Sequence, residues 1–243
     1  MSKREVIGFS ILLIAYQAPE GVGQRLLQSF PAQAALLLLF FPIAFAVGRR
    51  LRGSVARAYA LELSRRRIGQ LAAMLLLALG AKALALGIGA AADVYQIEHA
   101  AADRRFDLAL VTAVPMTFFP SIAEDIVARG FWFRLQRVRW TPWRFIVVSS
   151  AIYVANHLFR LTLGPLEWLM LFAFGCAYAG ALVYSGSLWP AVGLHWGWNL
   201  SNALQDSVAS VTVRSPDGAR LLSAAAHVVL LVVLAVLWQR SVR

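Results

Sequence analysis

Hydrophobic positions along the chain gather into long runs, and polar positions collect between them. The runs occupy about residues 6–18, 30–47, 68–92, 107–127, 145–161, 166–184, 188–203 and 221–238. They predict membrane helices, although several are shorter than the roughly 20 residues that a perpendicular span needs. Inner helices of a tight bundle can be short, because protein shields their ends. The expected fold is therefore all-α: a polytopic transmembrane helical bundle of about eight helical segments. The first run is a short span or a membrane-surface helix. Lys3 and Arg4 before it resemble the start of a signal peptide, but Glu5 and the missing A-x-A site argue against one. No polar domain, long linker, low-complexity tract or repeat interrupts the pattern, so residues 1–243 are expected to form one integral membrane domain.

Composition strengthens this picture. Hydrophobic residues make up 60% of the chain and charged residues 14%, where a soluble domain carries about 25% charged. The net charge of +11 does not point to nucleic acid, because the arginines sit in short loops between apolar runs. Residues 48–67 hold seven arginines against one acid, Glu62, and residues 134–144 hold Arg134, Arg137, Arg139 and Arg144 with none. The positive-inside rule makes both loops cytoplasmic. Two crossings separate them, so one topology satisfies both, with 204–220 outside and the C-terminal tail inside. Residues 48–67 also alternate apolar and basic side chains, as either a helix lying on anionic lipid or a solvated loop would. The protein is expected in a bacterial plasma membrane. Cys176 is the only cysteine and reads as a small packing residue.

Polar groups inside the runs are costly there and mark function. Asp125 and Arg129 are four apart, share a helix face and can pair. Glu124 points about 100° away and is left for something else. Alternatively, all three end a helix in the headgroup layer. Tyr153 and His157 are also four apart, as are His195 and Asn199. Groups that avoid lipid must turn inward and find one another. A carboxylate, two imidazoles and an amide in one cavity could activate water and stabilise an oxyanion. No H-E-x-x-H is present, yet Glu124, His157 and His195 could in principle hold zinc. Other polar residues read differently. His99 is a surface residue, His227 has a packing or headgroup role, Lys82 snorkels to the interface, and Glu167 is solvated at the start of a span. Ala173, Ala177 and Ala181 form a ridge for close helix packing.

The stretches "EDIVAR" at 124–129, "YVANH" at 153–157 and "HWGWN" at 195–199 resemble, in order, the motifs of the CAAX-protease and bacteriocin-processing family. These are intramembrane proteases with E-E-x-x-x-R, F-x-x-x-H and H-x-x-x-N. The resemblance covers about residues 108–203, which are expected to be the catalytic core. Asp125 replaces the usual Glu, Tyr153 the usual Phe, and Ala128 an aromatic residue often found there. The resemblance implies an endopeptidase that cuts near the membrane, close to the C-terminus of a membrane-attached or lipidated substrate. It implies that Glu124 and His157 activate water and that His195 and Asn199 form the oxyanion site. Asp125, Arg129 and Tyr153 support them. The family has been described both as metal-dependent and as a metal-free glutamate type. The metal-free reading is preferred, with no cofactor, and zinc is the alternative. Two rivals remain: a proton-coupled transporter, against which the lack of an inverted repeat speaks, and a non-catalytic immunity protein.

Overall fold

The computed structural model describes residues 1–99, 105–135 and 140–241. Every expected segment is helical. Helix α1 (Lys3–Ala18) opens on a capping box in which Ser2 and Glu5 bond each other's backbone N–H. It runs on as a π-helical stretch, Pro19–Leu26. The first segment is thus a rod of 24 residues, longer than its apolar run because Glu20, Gln24 and Arg25 break the hydropathy but not the helix. Helix α2 (Phe30–Arg52) and the short α3 (Val55–Tyr59) follow, then α4 (Arg65–Ala91). Strand β1 (Tyr95–His99) leads to α5 (Arg105–Asp125), a π turn (Ile126–Gly130) and α6 (Phe131–Phe133). The chain continues through α7 (Pro142–Asn156), a 3-10 segment (Leu158–Leu163), α8 (Pro165–Ser185) and α9 (Leu188–Val208). It closes with β2 (Ala209–Val213) and α10 (Pro216–Ser241).

Among the described residues, six helical stretches are long and apolar enough to cross a membrane. The protein is an all-helical integral membrane bundle. Helix α7 has 15 residues, about 22 Å at 1.5 Å each. That is short of the hydrocarbon thickness, so its C-terminal end lies within the bundle.

The arginine-rich loops meet at one end. Arg52 bonds Glu5 at 3.2 Å and the Arg134 carbonyl at 2.9 Å, and Arg134 pairs with Glu62 at 3.3 Å. Arg137 and Arg139 lie outside the described residues. Within residues 48–67, Ala58, Tyr59 and Ala60 are folded in, while Arg49, Arg50, Arg57, Arg65 and Arg66 stay exposed. Gly53 takes φ +70° and stops α2, and α3 folds back so that Tyr59 is buried and donates to the Ala44 carbonyl at 2.8 Å. A free tyrosine ring and an unpaired carbonyl would both be worse off in a solvated loop at this apolar surface.

At the opposite end, β1 pairs antiparallel with β2, from Tyr95 with Val213 to His99 with Ala209. The apolar pattern did not show this ribbon, which ties the segments that follow α4 and α9 together. The side chain of His99 lies outside the described residues.

Helix α9 packs tightly along α4. A Cβ on Gly197 would stand 2.6 Å from the Leu75 carbonyl oxygen, and one on Gly193 would collide with that of Leu71. Only glycine admits this approach. On α8 the ridge of Ala173, Ala177 and Ala181 is buried, as small residues at helix contacts usually are.

Candidate active site

Glu124 and Asp125 end α5 where the helix widens into its π turn, a feature that recurs at functional sites. Both face His195 of α9. Asp125 Oδ1 is 3.0 Å from His195 Nδ1, and Glu124 Oε2 is 3.6 Å from His195 Nε2. Asp125 also forms an ion pair with Arg129, and both residues are wholly buried. They are therefore not solvated in a headgroup layer. The guanidinium lies over the rings of Tyr153 and Tyr178, 5.0 and 5.3 Å from their centroids, where the ring faces attract a cation.

These contacts fix the imidazole protons. Asp125, ionised by its guanidinium partner, can only accept, so His195 Nδ1 carries hydrogen and its Nε2 lone pair faces Glu124. His157 caps the end of α7. Its Nδ1 is 2.8 Å from the Tyr153 carbonyl, and a carbonyl can only accept. That nitrogen therefore also carries hydrogen, and it lies 3.4 Å from Glu124 Oε1. The buried Tyr153 ring packs 4.7 Å from the His157 ring and 5.9 Å from that of His195. Asn199 donates one N–H to Ser121 Oγ at 3.1 Å and keeps a second. Glu124, Tyr153, His157, His195 and Asn199 line one cavity of about 240 Å3. A larger, mainly apolar hollow of about 450 Å3 lies between the π-helical end of the first segment, α2 and α5. His157 and Arg160 line both.

Several neighbours were not visible in the sequence. Ser121 stands one turn before Asp125 and holds Asn199. Tyr178 stacks on His195 at 4.8 Å. It donates to His227 Nε2 at 3.0 Å, whose Nδ1–H is taken by the Ser223 carbonyl. His227 is thus a buried packing residue. The Tyr16 hydroxyl reaches Glu124 from α1. Two residues correct the sequence reading. Lys82 does not snorkel: it is 7% exposed and lines the 240 Å3 cavity. Glu167 is not solvated: it is buried and paired with Arg160 and Arg220, because the 3-10 segment and the start of α10 fold over it.

Zinc would need Glu124, His157 and His195 as ligands. His195 offers an Nε2 lone pair and Glu124 an oxygen. His157 gives its Nδ1–H to the Tyr153 carbonyl, so only its Nε2 lone pair could join them. Among the described residues no three such side chains are grouped closely enough to hold a metal ion, so the set does not fit zinc in this arrangement, and no step of the reaction runs through a metal.

Comparison with known families decides the kinship of these motifs. Residues 106–201 match the family model described as Type II CAAX prenyl endopeptidase Rce1-like. Over this segment the chain is similar to the CAAX-protease family. It contains all seven motif residues, from Glu124 to Asn199, and the match supports the general activity of an intramembrane endopeptidase. No curated protein and no solved structure matches the chain.

Proposed function

We propose that this CAAX-protease relative hydrolyses a peptide bond near the C-terminus of a membrane-attached or lipidated protein, with Glu124 as general base. The observation that supports this most is the meeting of Glu124, His157 and His195 on one cavity, with Asp125 behind His195. The His157 ring, its Nδ1–H given to the Tyr153 carbonyl, stands beside the Glu124 carboxylate at 3.4 Å. Glu124 takes a proton from water, and the resulting hydroxide attacks the carbonyl carbon. The second N–H of Asn199 donates to the oxyanion. His195, whose Nε2 holds a lone pair at rest, joins it after taking a proton from solvent at Nε2, with the Asp125 carboxylate as counter-charge, and returns that proton to solvent at the end of the cycle. As the C–N bond breaks, the proton held by Glu124 passes to the leaving amine, which balances water addition. The 450 Å3 apolar hollow beside His157 suits an apolar or lipid-bearing part of the substrate.

The arginine-rich end is proposed to face the cytoplasm of a bacterial plasma membrane, by the positive-inside rule. Residues 108–203 are proposed as the catalytic core.

The test is cleavage of candidate membrane peptides by the purified protein. Wild type should cut, and Glu124→Gln should not. If cleavage is absent in both while a cellular immunity phenotype persists, a non-catalytic role replaces this reading.

A further inference from the structure

Three charged side chains line the 240 Å3 cavity besides its histidines: Glu124, Arg160 and Lys82. Glu124 is committed to His157 and His195. Arg160 is paired with Glu167. Lys82 alone has no use in the reaction described above.

Lys82 stands on α4 with its ammonium 4.9 Å from the centroid of the Trp198 ring. Trp198 lies between His195 and Asn199 in the sequence of α9. The cation is therefore held against the same helix as the proposed oxyanion groups. Among the described residues Lys82 enters no ion pair, and it is more than nine-tenths buried. An ammonium has three donors and no acceptor, and a buried cation without a counter-charge is costly. A ring face offsets part of that cost and satisfies none of the donors. A substrate carboxylate would satisfy both needs.

The size of the cavity narrows which carboxylate. The cavity of about 240 Å3 that Lys82 shares with Glu124 has room for only a short stretch of peptide, so a carboxylate that reaches Lys82 lies close along the chain to the bond cut, as a C-terminus near the cleavage point does. Resting on the proteolytic reading, we propose that Lys82 binds the free C-terminal carboxylate of the substrate and so sets how far from that end the bond is cut.

Binding is measured on full-length Glu124→Gln protein in detergent micelles, with a labelled apolar ten-residue peptide read by anisotropy. Three forms are compared: free acid, C-terminal amide, and an amide carrying one glutamate near its end. The acid should bind about tenfold or more tightly than the plain amide, the scale of one charge-assisted hydrogen bond. Adding Lys82→Met should close that gap, and Lys82→Arg should keep it. Should Lys82→Met fold poorly, Lys82→Gln is read in the same way. In the protein that retains Glu124, Lys82→Met should raise KM for the acid peptide far more than it lowers kcat. Equal binding of acid and amide, or a gap that survives loss of Lys82, overturns the proposal. An amide with glutamate that binds as well as the acid overturns the C-terminal assignment. Cleavage indifferent to the terminus removes the role of Lys82 and leaves the protease reading. A Lys82-dependent binding gap without any cleavage does the reverse.

Discussion

His195 Nδ1 lies 3.0 Å from Asp125 Oδ1, the same oxygen that pairs with the Arg129 guanidinium. One carboxylate oxygen thus ties a structural cation to a proposed catalytic imidazole. Asp125→Asn should cost about 10⁴ in turnover, the loss seen when an imidazole is left in the wrong tautomer. Asp125→Glu, the residue usual in the family motif, should keep most activity. Cleavage by Asp125→Asn within threefold of wild type would refute the link.

Arg129 is wholly buried with Asp125 as its ionic partner. Removing it leaves an uncompensated carboxylate, at about 3–5 kcal/mol. Arg129→Ala should therefore lower both folded yield and thermal stability in detergent, together with activity. Normal stability with lost activity would move Arg129 into the substrate site.

The Ser121–Asn199 bond predicts a graded pair of losses. Asn199→Ala should lower kcat by about 10²–10³, as removal of an oxyanion donor does. Ser121→Ala should cost less, since it frees the amide without deleting it. Steady-state kinetics on one peptide decides the order, and a larger loss at Ser121 than at Asn199 contradicts it.

Metal dependence has a direct test. With Glu124 as a metal-free base, wild-type cleavage should survive exhaustive chelation. Activity that disappears with chelator and returns only with zinc would require His157 to turn its other nitrogen toward Glu124 and would overturn the mechanism proposed above.

The two ends of the bundle predict an accessibility pattern. In a Cys176→Ser background, a cysteine at Arg57 should react with an impermeant thiol reagent only after cells are opened. One at Gln96, on the ribbon, should react in intact cells. The reverse pattern would invert the proposed orientation.

The helices were legible because apolar runs in lipid leave few other folds. The convergence of Glu124, His157, His195 and Asn199 was legible for a related reason: polar groups that avoid lipid have only the bundle interior. What escaped was what each atom does next. Spacing alone uses up Asp125 on Arg129, and nothing in "EDIVAR" shows that its shared oxygen also meets His195 across the bundle. Ser121 and Tyr178 looked like ordinary helix residues, since their partners are 78 and 49 positions away. Lys82 and Glu167 were misread because hydropathy locates span ends and cannot tell which face of a helix meets a cavity. The ribbon was missed because its two five-residue strands pair across more than a hundred intervening positions.

The glycine seam between α9 and α4 divides the site into unequal walls. Gly193 and Gly197 let α9 press onto the α4 backbone, and Trp196 bonds Thr117 of α5 at 3.1 Å, so His195 and Asn199 are clamped from two sides. His157 hangs at the end of a short helix, followed by a 3-10 segment and by Gly164 at φ +90°. On the proposed reading, a peptide backbone between them would meet an anvil on the α9 side and a wall with fewer supports on the His157 side. Widening Gly197 to valine should loosen the anvil and blunt cleavage, even though the added methyl groups touch no reacting atom.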